Sequence, residues 1–127
     1  MQKQIKAVQL FHEAFEIGYK NEPTVGLGEA KNLLRYNLMK EENEEYLEAA
    51  MNDDIVEVAD ALGDMLYILC GTIIEHGLQH KIVEVFNEIH DSNMSKLENG
   101  QPLLREDGKI LKGSNYFKPN IKKILDK

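Results

Sequence analysis

Between Asp54 and Glu75 the sequence is apolar around most of the circumference of a helix. A helix with one apolar stripe can lie on a surface, whereas one that is apolar nearly all round must be covered on several sides. This segment therefore predicts the core helix of a bundle and constrains the chain towards an all-α fold. Its most apolar stretch, Ala61 to Ile74, is shorter than a membrane span and carries Asp64 within it, so other parts of a protein are expected to cover it.

The flanking sequence supplies candidates for that cover. Ile5, Val8, Phe11 and Phe15 recur at three- and four-residue spacing and predict a first helix from Gln2 to about Ile17, closed by Gly18. Pro23, Gly26 and Gly28 mark the stretch from Tyr19 to Gly28 as a loop, after which Leu33, Leu34, Leu38, Tyr46 and Leu47 predict a second helix to about Met51. Asn52-Asp53-Asp54 breaks the chain and recaps it for the core helix. After His76-Gly77, the residues Ile82, Val85, Phe86 and Ile89 predict a shorter fourth helix to about Asp91. From Glu98 to Asn120 the periodicity fails, and Gly100, Pro102, Asp107-Gly108, Gly113 and Pro119 predict a loop with at most a small hairpin. The expected architecture is a bundle of four to five helices in a single domain over residues 1–127, with a helical body (1–91) and an irregular basic C-terminal tail (92–127).

Charge divides along the same line. The net charge of −7 arises from 7 Lys/Arg against 18 Asp/Glu in residues 1–91 and 8 Lys/Arg against 4 Asp/Glu in residues 92–127. An acidic body repels a nucleic-acid backbone, while an acidic pocket beside basic side chains suits a metal-bound polyphosphate. No nucleic-acid or membrane partner is expected. The single cysteine, Cys70, and the lack of a signal-like N-terminal pattern point to a reducing, cytoplasmic setting.

The acidic residues are placed where helices bury apolar side chains. Projected at about 100° per residue, Leu34, Leu38 and Ala49 define the inward face of the second helix, and Glu41, Glu42 and Glu45 occupy or border it. Glu44 and Glu48 fall on its polar side. On the core helix Glu57, Asp60 and Asp64 lie within about 60° of one another, the only charged residues before Glu75. Carboxylates of one sign on apolar faces must be neutralised by protons, basic partners or a cation. Lys and Arg are missing from the core helix. A cage of hard oxygens prefers Mg2+, with Mn2+ as the alternative, when phosphate oxygens complete the shell. Such an ion neutralises phosphate and lowers the pKa of a bound water, and a spare carboxylate can take that water's proton.

Glu41-Glu42-Asn43-Glu44-Glu45 followed by Glu57-Val58-Ala59-Asp60 resembles the EExxE and ExxD signature of the all-α nucleoside triphosphate pyrophosphohydrolases, which include MazG proteins, dimeric dUTPases and phosphoribosyl-ATP pyrophosphohydrolases. Asp64-Met65-Leu66-Tyr67 with Gly71, then Asn93-Met94-Ser95-Lys96, then Gly108-Lys109-Ile110-Leu111-Lys112 resemble the MazG-like branch and carry the likeness over most of the chain. The resemblance implies magnesium-dependent attack of water on the α phosphate of a nucleoside triphosphate. It also implies metal ligands at Glu41, Glu42, Glu45, Asp60 and Asp64, with Glu41 orienting or deprotonating the water. Two registers compete for the second motif: Glu57 and Asp60 match it literally, while the Asp-Met-Leu-Tyr context aligns Asp64 and puts Ala61 at the glutamate position. Glu57 is then an outer group. In the tail, Lys96, Lys109 and Lys112 are candidates to neutralise phosphate and Asn93 to supply an amide to the nucleotide.

Other features carry less. His76 and His80 are separated by Gly77 and a helix break, Cys70 reads as a small core residue, and Gly26-Leu27-Gly28 lacks the Gly-Lys-Ser/Thr of a phosphate loop. The competing reading is a noncatalytic helical dimer whose acidic face binds a basic partner. A phosphoribosyl-ATP pyrophosphohydrolase remains an alternative within the enzyme class. A homodimer or dimer of dimers is expected, because the core helix has more apolar surface than one small bundle covers.

Overall fold

The computed structural model describes residues 1–127 as two compact units, Met1–Gln79 and His80–Lys127. The chain is all-α, with five helices and one two-stranded hairpin. No helix is long and apolar enough to cross a membrane.

The first unit holds α1 (Gln2–Ala14), α2 (Glu29–Met51) and α3 (Ile55–Glu75). α3 packs against both α1 and α2, as its apolar circumference requires, and α2–α3 is the most extensive helix pair. Asp54 starts α3 by accepting a hydrogen bond from the Glu57 backbone N–H at 3.1 Å, which satisfies one of the four free donors of a helix N-terminus. Asp53 completes the α2–α3 turn with φ +54°.

α1 ends at Ala14, a turn short of Ile17. The Ile17 N–H donates to the His12 carbonyl at 2.9 Å and the His12 ring pairs through Nδ1 with the Gly18 carbonyl at 3.0 Å, so the chain curls back over its own last turn. Its buried residues are Ile5, Val8 and His12. Phe11 and Phe15 lie at the edge instead, their rings 4.5 Å apart, with Tyr67 edge-on to Phe11. The loop back to α2 is sewn to the end of α3: Lys20 N–H donates to the Ile74 carbonyl, Gln79 Nε2 donates to the Lys20 carbonyl, and the His76 ring pairs with the Thr24 carbonyl. Gly77, at φ +68°, lies so close to the Glu22 carbonyl that an added Cβ would stand 2.0 Å from its oxygen. Only glycine fits there.

The second unit holds α4 (Ile82–Met94), β1 (Leu103–Leu104), β2 (Ile110–Leu111) and α5 (Ile121–Leu125). α4 therefore shares a unit with the basic segment. The small hairpin forms around Asp107-Gly108, pairing Leu103 with Leu111 and Leu104 with Ile110. The irregular tail is tied down by side chains: Ser92 Oγ donates to the Phe117 carbonyl at 2.8 Å, Ser114 donates to Glu98, and Asn120 caps α5.

Candidate active site

The α2 face turned to α3 is more polar than apolar periodicity suggests. Ala49 is the one buried residue among the 23 of α2, and the strip it belongs to contains Lys31, Arg35, Leu38 and Glu42. Leu34, which the projection places inward, is 52% exposed. The true inward face is centred about half a helical quadrant away, because charged side chains there find partners on α3.

At one end those partners are opposite charges. Glu75 is buried, 2.9 Å from Lys31 Nζ and 3.1 Å from Arg35 Nε. These are ionic contacts without hydrogen-bond alignment. Arg35 spends its directed donors elsewhere, from Nε to Thr72 Oγ1 at 3.0 Å and from Nη2 to the Ile68 carbonyl at 2.7 Å. Burial pulls its guanidinium below the ordinary range and Glu75 partly holds it up.

Further along the same pair the partners have the same sign. Glu42 is half-buried, and its Oε2 is fully enclosed with no hydrogen-bond partner. Burial first, then the neighbouring Glu45 carboxyl and the negative charges of Asp64 and Asp60, push the Glu42 carboxyl up to about 7. Three of the other four predicted metal ligands thus act electrostatically on Glu42. Glu45, Asp60 and Asp64 are individually exposed. The fifth, Glu41, is exposed at the margin of this face and is not among the groups that act on Glu42. No three Asp, Glu, His or Cys side chains are drawn tightly enough to hold a metal ion.

Beside this cluster, at the α2–α3 turn, is a cavity of about 260 Å³ lined by Glu45, Glu48, Ala49, Asn52, Asp54, Glu57 and Asp60. Three of these lie outside the sequence reading of the site. Glu48 falls on the polar side of α2, yet the chain reversal at Asn52–Asp54 folds α3 back beside it and turns that side into a wall. Asn52 and Asp54 have no signal of their own beyond breaking one helix and capping the next. Asn93, Lys96, Lys109 and Lys112 belong to the second unit. There Lys112 lies over the Tyr116 ring at 4.7 Å, and none of the three lysines is ion-paired.

A half-buried carboxylate among carboxylates, beside an open acidic cavity, marks this end of the α2–α3 pair as the candidate site. The phosphoribosyl-ATP pyrophosphohydrolase family matches residues 8–93, from α1 through α4. The chain belongs to this family. It is accordingly an enzyme of the MazG-like all-α superfamily, a pyrophosphohydrolase acting on phosphoric anhydride bonds. The match covers the whole of α2 and α3, and with them every acidic residue of the cluster and the cavity. No curated protein matches the chain.

Proposed function

We propose that this pyrophosphohydrolase splits a nucleoside triphosphate into the monophosphate and pyrophosphate, with Mg2+ or Mn2+ held by Glu42, Glu45, Asp60 and Asp64. The observation that carries this reading is the enclosed, unpartnered Oε2 of Glu42. A buried carboxylate oxygen without a donor is costly unless a proton or a cation meets it, and every neighbour that acts on it is another hard oxygen donor. When bound, the cation supplies charge neutralisation and a more acidic water. Water oxygen then bonds to the α phosphorus, the bond from that phosphorus to the bridging oxygen of the β phosphate breaks, and pyrophosphate leaves with the bond's electrons. Glu41, outside the cluster, is the carboxylate free to accept the water's proton. Lys96, Lys109 and Lys112 neutralise phosphate charge and Asn93 hydrogen-bonds the nucleotide.

The match to the phosphoribosyl-ATP family favours a second reading, in which the triphosphate bears a second ribosyl phosphate on its base. Pyrophosphate release from canonical, deoxy- and modified triphosphates and from phosphoribosyl-ATP, with Mg2+ and with a chelator, separates the two. Release that survives chelation would rule out both.

A second copy of the chain completes the first unit in this reading. Ile55, Ala59, Leu62, Leu66, Leu69 and Ile73 alternate at four- and three-residue steps, a heptad seam on the side of α3 away from Asp60 and Asp64. Leu62, Leu66 and Leu69 remain 49%, 42% and 44% exposed. The seam carries no charge, so two copies can pair about a two-fold axis without like-charge conflict. Burying each leucine fully would contribute roughly 1 kcal/mol. Leu66→Glu should yield monomers in sedimentation, and an unchanged mass would discard this interface. Cys70, buried and with its thiol pushed up by burial, suits the reducing cytoplasm.

A further inference from the structure

The two polar clusters of the α2–α3 pair share one antiparallel register, in which each step forward on α2 is met by a step back on α3. Lys31 meets Glu75, Arg35 meets Thr72 and Ile68, and Glu42 lies within the electrostatic reach of Asp64 and Asp60. The short Asn52–Asp54 turn fixes that register at one end of the pair, but away from it apolar packing on the α2 side does little, since only Ala49 of that helix is buried. Apolar packing this sparse does not by itself oppose a slip of one turn, about 5 Å, at the far end.

Arg35 does not tolerate it. Its side chain is 10% exposed and its planar fork is committed in three directions, to a hydroxyl, a backbone carbonyl and a buried carboxylate. A slip would leave both a cation and Glu75 buried and unpaired, which folding strongly opposes. The fork also has a seat. A Cβ at Gly71 would stand 2.6 Å from Arg35 Nη2 and 3.0 Å from His12 Nε2, so the bare backbone at that position is what lets the guanidinium cross α3.

We propose that Arg35, seated in the notch at Gly71, is a positioning residue that locks the α2–α3 register and so sets Glu42 and Glu45 opposite Asp60 and Asp64. Buried polar groups specify helix register in coiled coils at some cost in stability, and this pair has the same division of labour: the ionic end aligns the helices and the acidic end receives the substrate's cation. The functional consequence rests on the proposed function above, whereas the alignment itself does not.

The test uses the full chain with Cys70→Ala and spin labels at Glu44→Cys and Gly63→Cys, the latter a position where an added Cβ meets nothing. The inter-label distance is measured together with the Mn2+ half-saturation concentration, fitted from the rise of melting temperature with Mn2+ concentration. Arg35→Lys keeps the charge but loses the fork, and Gly71→Ala keeps every charge but fills the seat. Either should shift or split the distance by up to about 5 Å and raise the Mn2+ half-saturation on the order of tenfold. Ile5→Val, a loss of α1 packing with a comparable fall in melting temperature, should change neither. An unchanged distance in both variants overturns the lock whether or not the protein binds a cation. A shifted distance with unaltered Mn2+ half-saturation overturns its positioning role. A wild type indifferent to Mn2+ strikes the proposed function instead, and the distance still decides the lock.

Discussion

At the Glu75 end of the α2–α3 pair a buried carboxylate meets two cations, whereas at Glu42 a carboxylate meets three more carboxylates. Both clusters are polar groups inserted between helices, and both cost desolvation. The first recovers that cost within the chain, so it belongs to folding. The second cannot, because no Lys or Arg faces it from α3, and it keeps an orphaned oxygen and a proton affinity far above that of an ordinary glutamate. Polar burial that the chain neutralises is structural; polar burial of one sign is left for something that arrives from outside.

The sharpest way to break this contrast is to neutralise the acidic end. Glu42→Gln keeps the side chain's shape but removes the charge that the proposed cation requires, and activity should fall on the order of 10³-fold, the worth of several kcal/mol of lost transition-state stabilisation. Without cation the same variant should melt no lower than wild type, since it removes a repulsive charge. A variant that is inactive because it unfolds would show Glu42 to be structural after all. Breaking the other end should do the reverse. Glu75→Ala strands Arg35 without its carboxylate and should destabilise by about 3 kcal/mol, measured by urea unfolding, and a loss near zero would mean that water already reaches this pair.

The pH dependence gives a finer division. The Glu42 carboxyl lies at about 7 in the folded chain against an ordinary value of 4.5. Across that interval the folded state holds a proton the unfolded chain has released, so stability falls as pH rises from about 4.5 to 7 and the loss is complete above the folded value. Melting temperature without cation should decline over this window, and Glu42→Gln should flatten the decline. Mn2+ should have its largest effect above pH 7, where the Glu42 carboxyl has lost its proton. Glu98 and Asp107, held low by Ser114 and Arg105, contribute with the opposite sign and only in more acidic solution.

Much of this was legible in the sequence, for reasons that particular residues make plain. α2 and α3 begin and end where Gly28, Asn52-Asp53-Asp54 and His76-Gly77 interrupt the chain, because caps and breakers act locally. The acidic residues stood out because charges of one sign interrupted apolar faces. The ionic end was not legible. Arg35 and Glu75 are forty residues apart, and no periodicity within α2 distinguishes a guanidinium bound for a distant carboxylate from one bound for water. The projection therefore follows Leu34 instead and sets the inward face too far towards it, although Glu41 borders that face either way. Glu48 escaped for a related reason: a helix's solvent side becomes a cavity wall only when the next helix returns beside it.

Asp54 tests the contrast at its smallest scale, because it serves both the fold and the acidic cavity. Its side chain caps α3 at 3.1 Å and also lines the acidic cavity. Asn caps a helix as well as Asp does, whereas Ala does not, so Asp54→Ala should cost about 1 kcal/mol and Asp54→Asn much less. If the cap is the only role, Asp54→Asn should also leave the Mg2+ dependence of pyrophosphate release unchanged. If the carboxylate contributes to the field that draws the cation, Asp54→Asn should raise the Mg2+ requirement while the melting temperature holds. The pair of variants thus separates a charge that the fold uses from a charge that the reaction uses, on one side chain where structure alone assigns both.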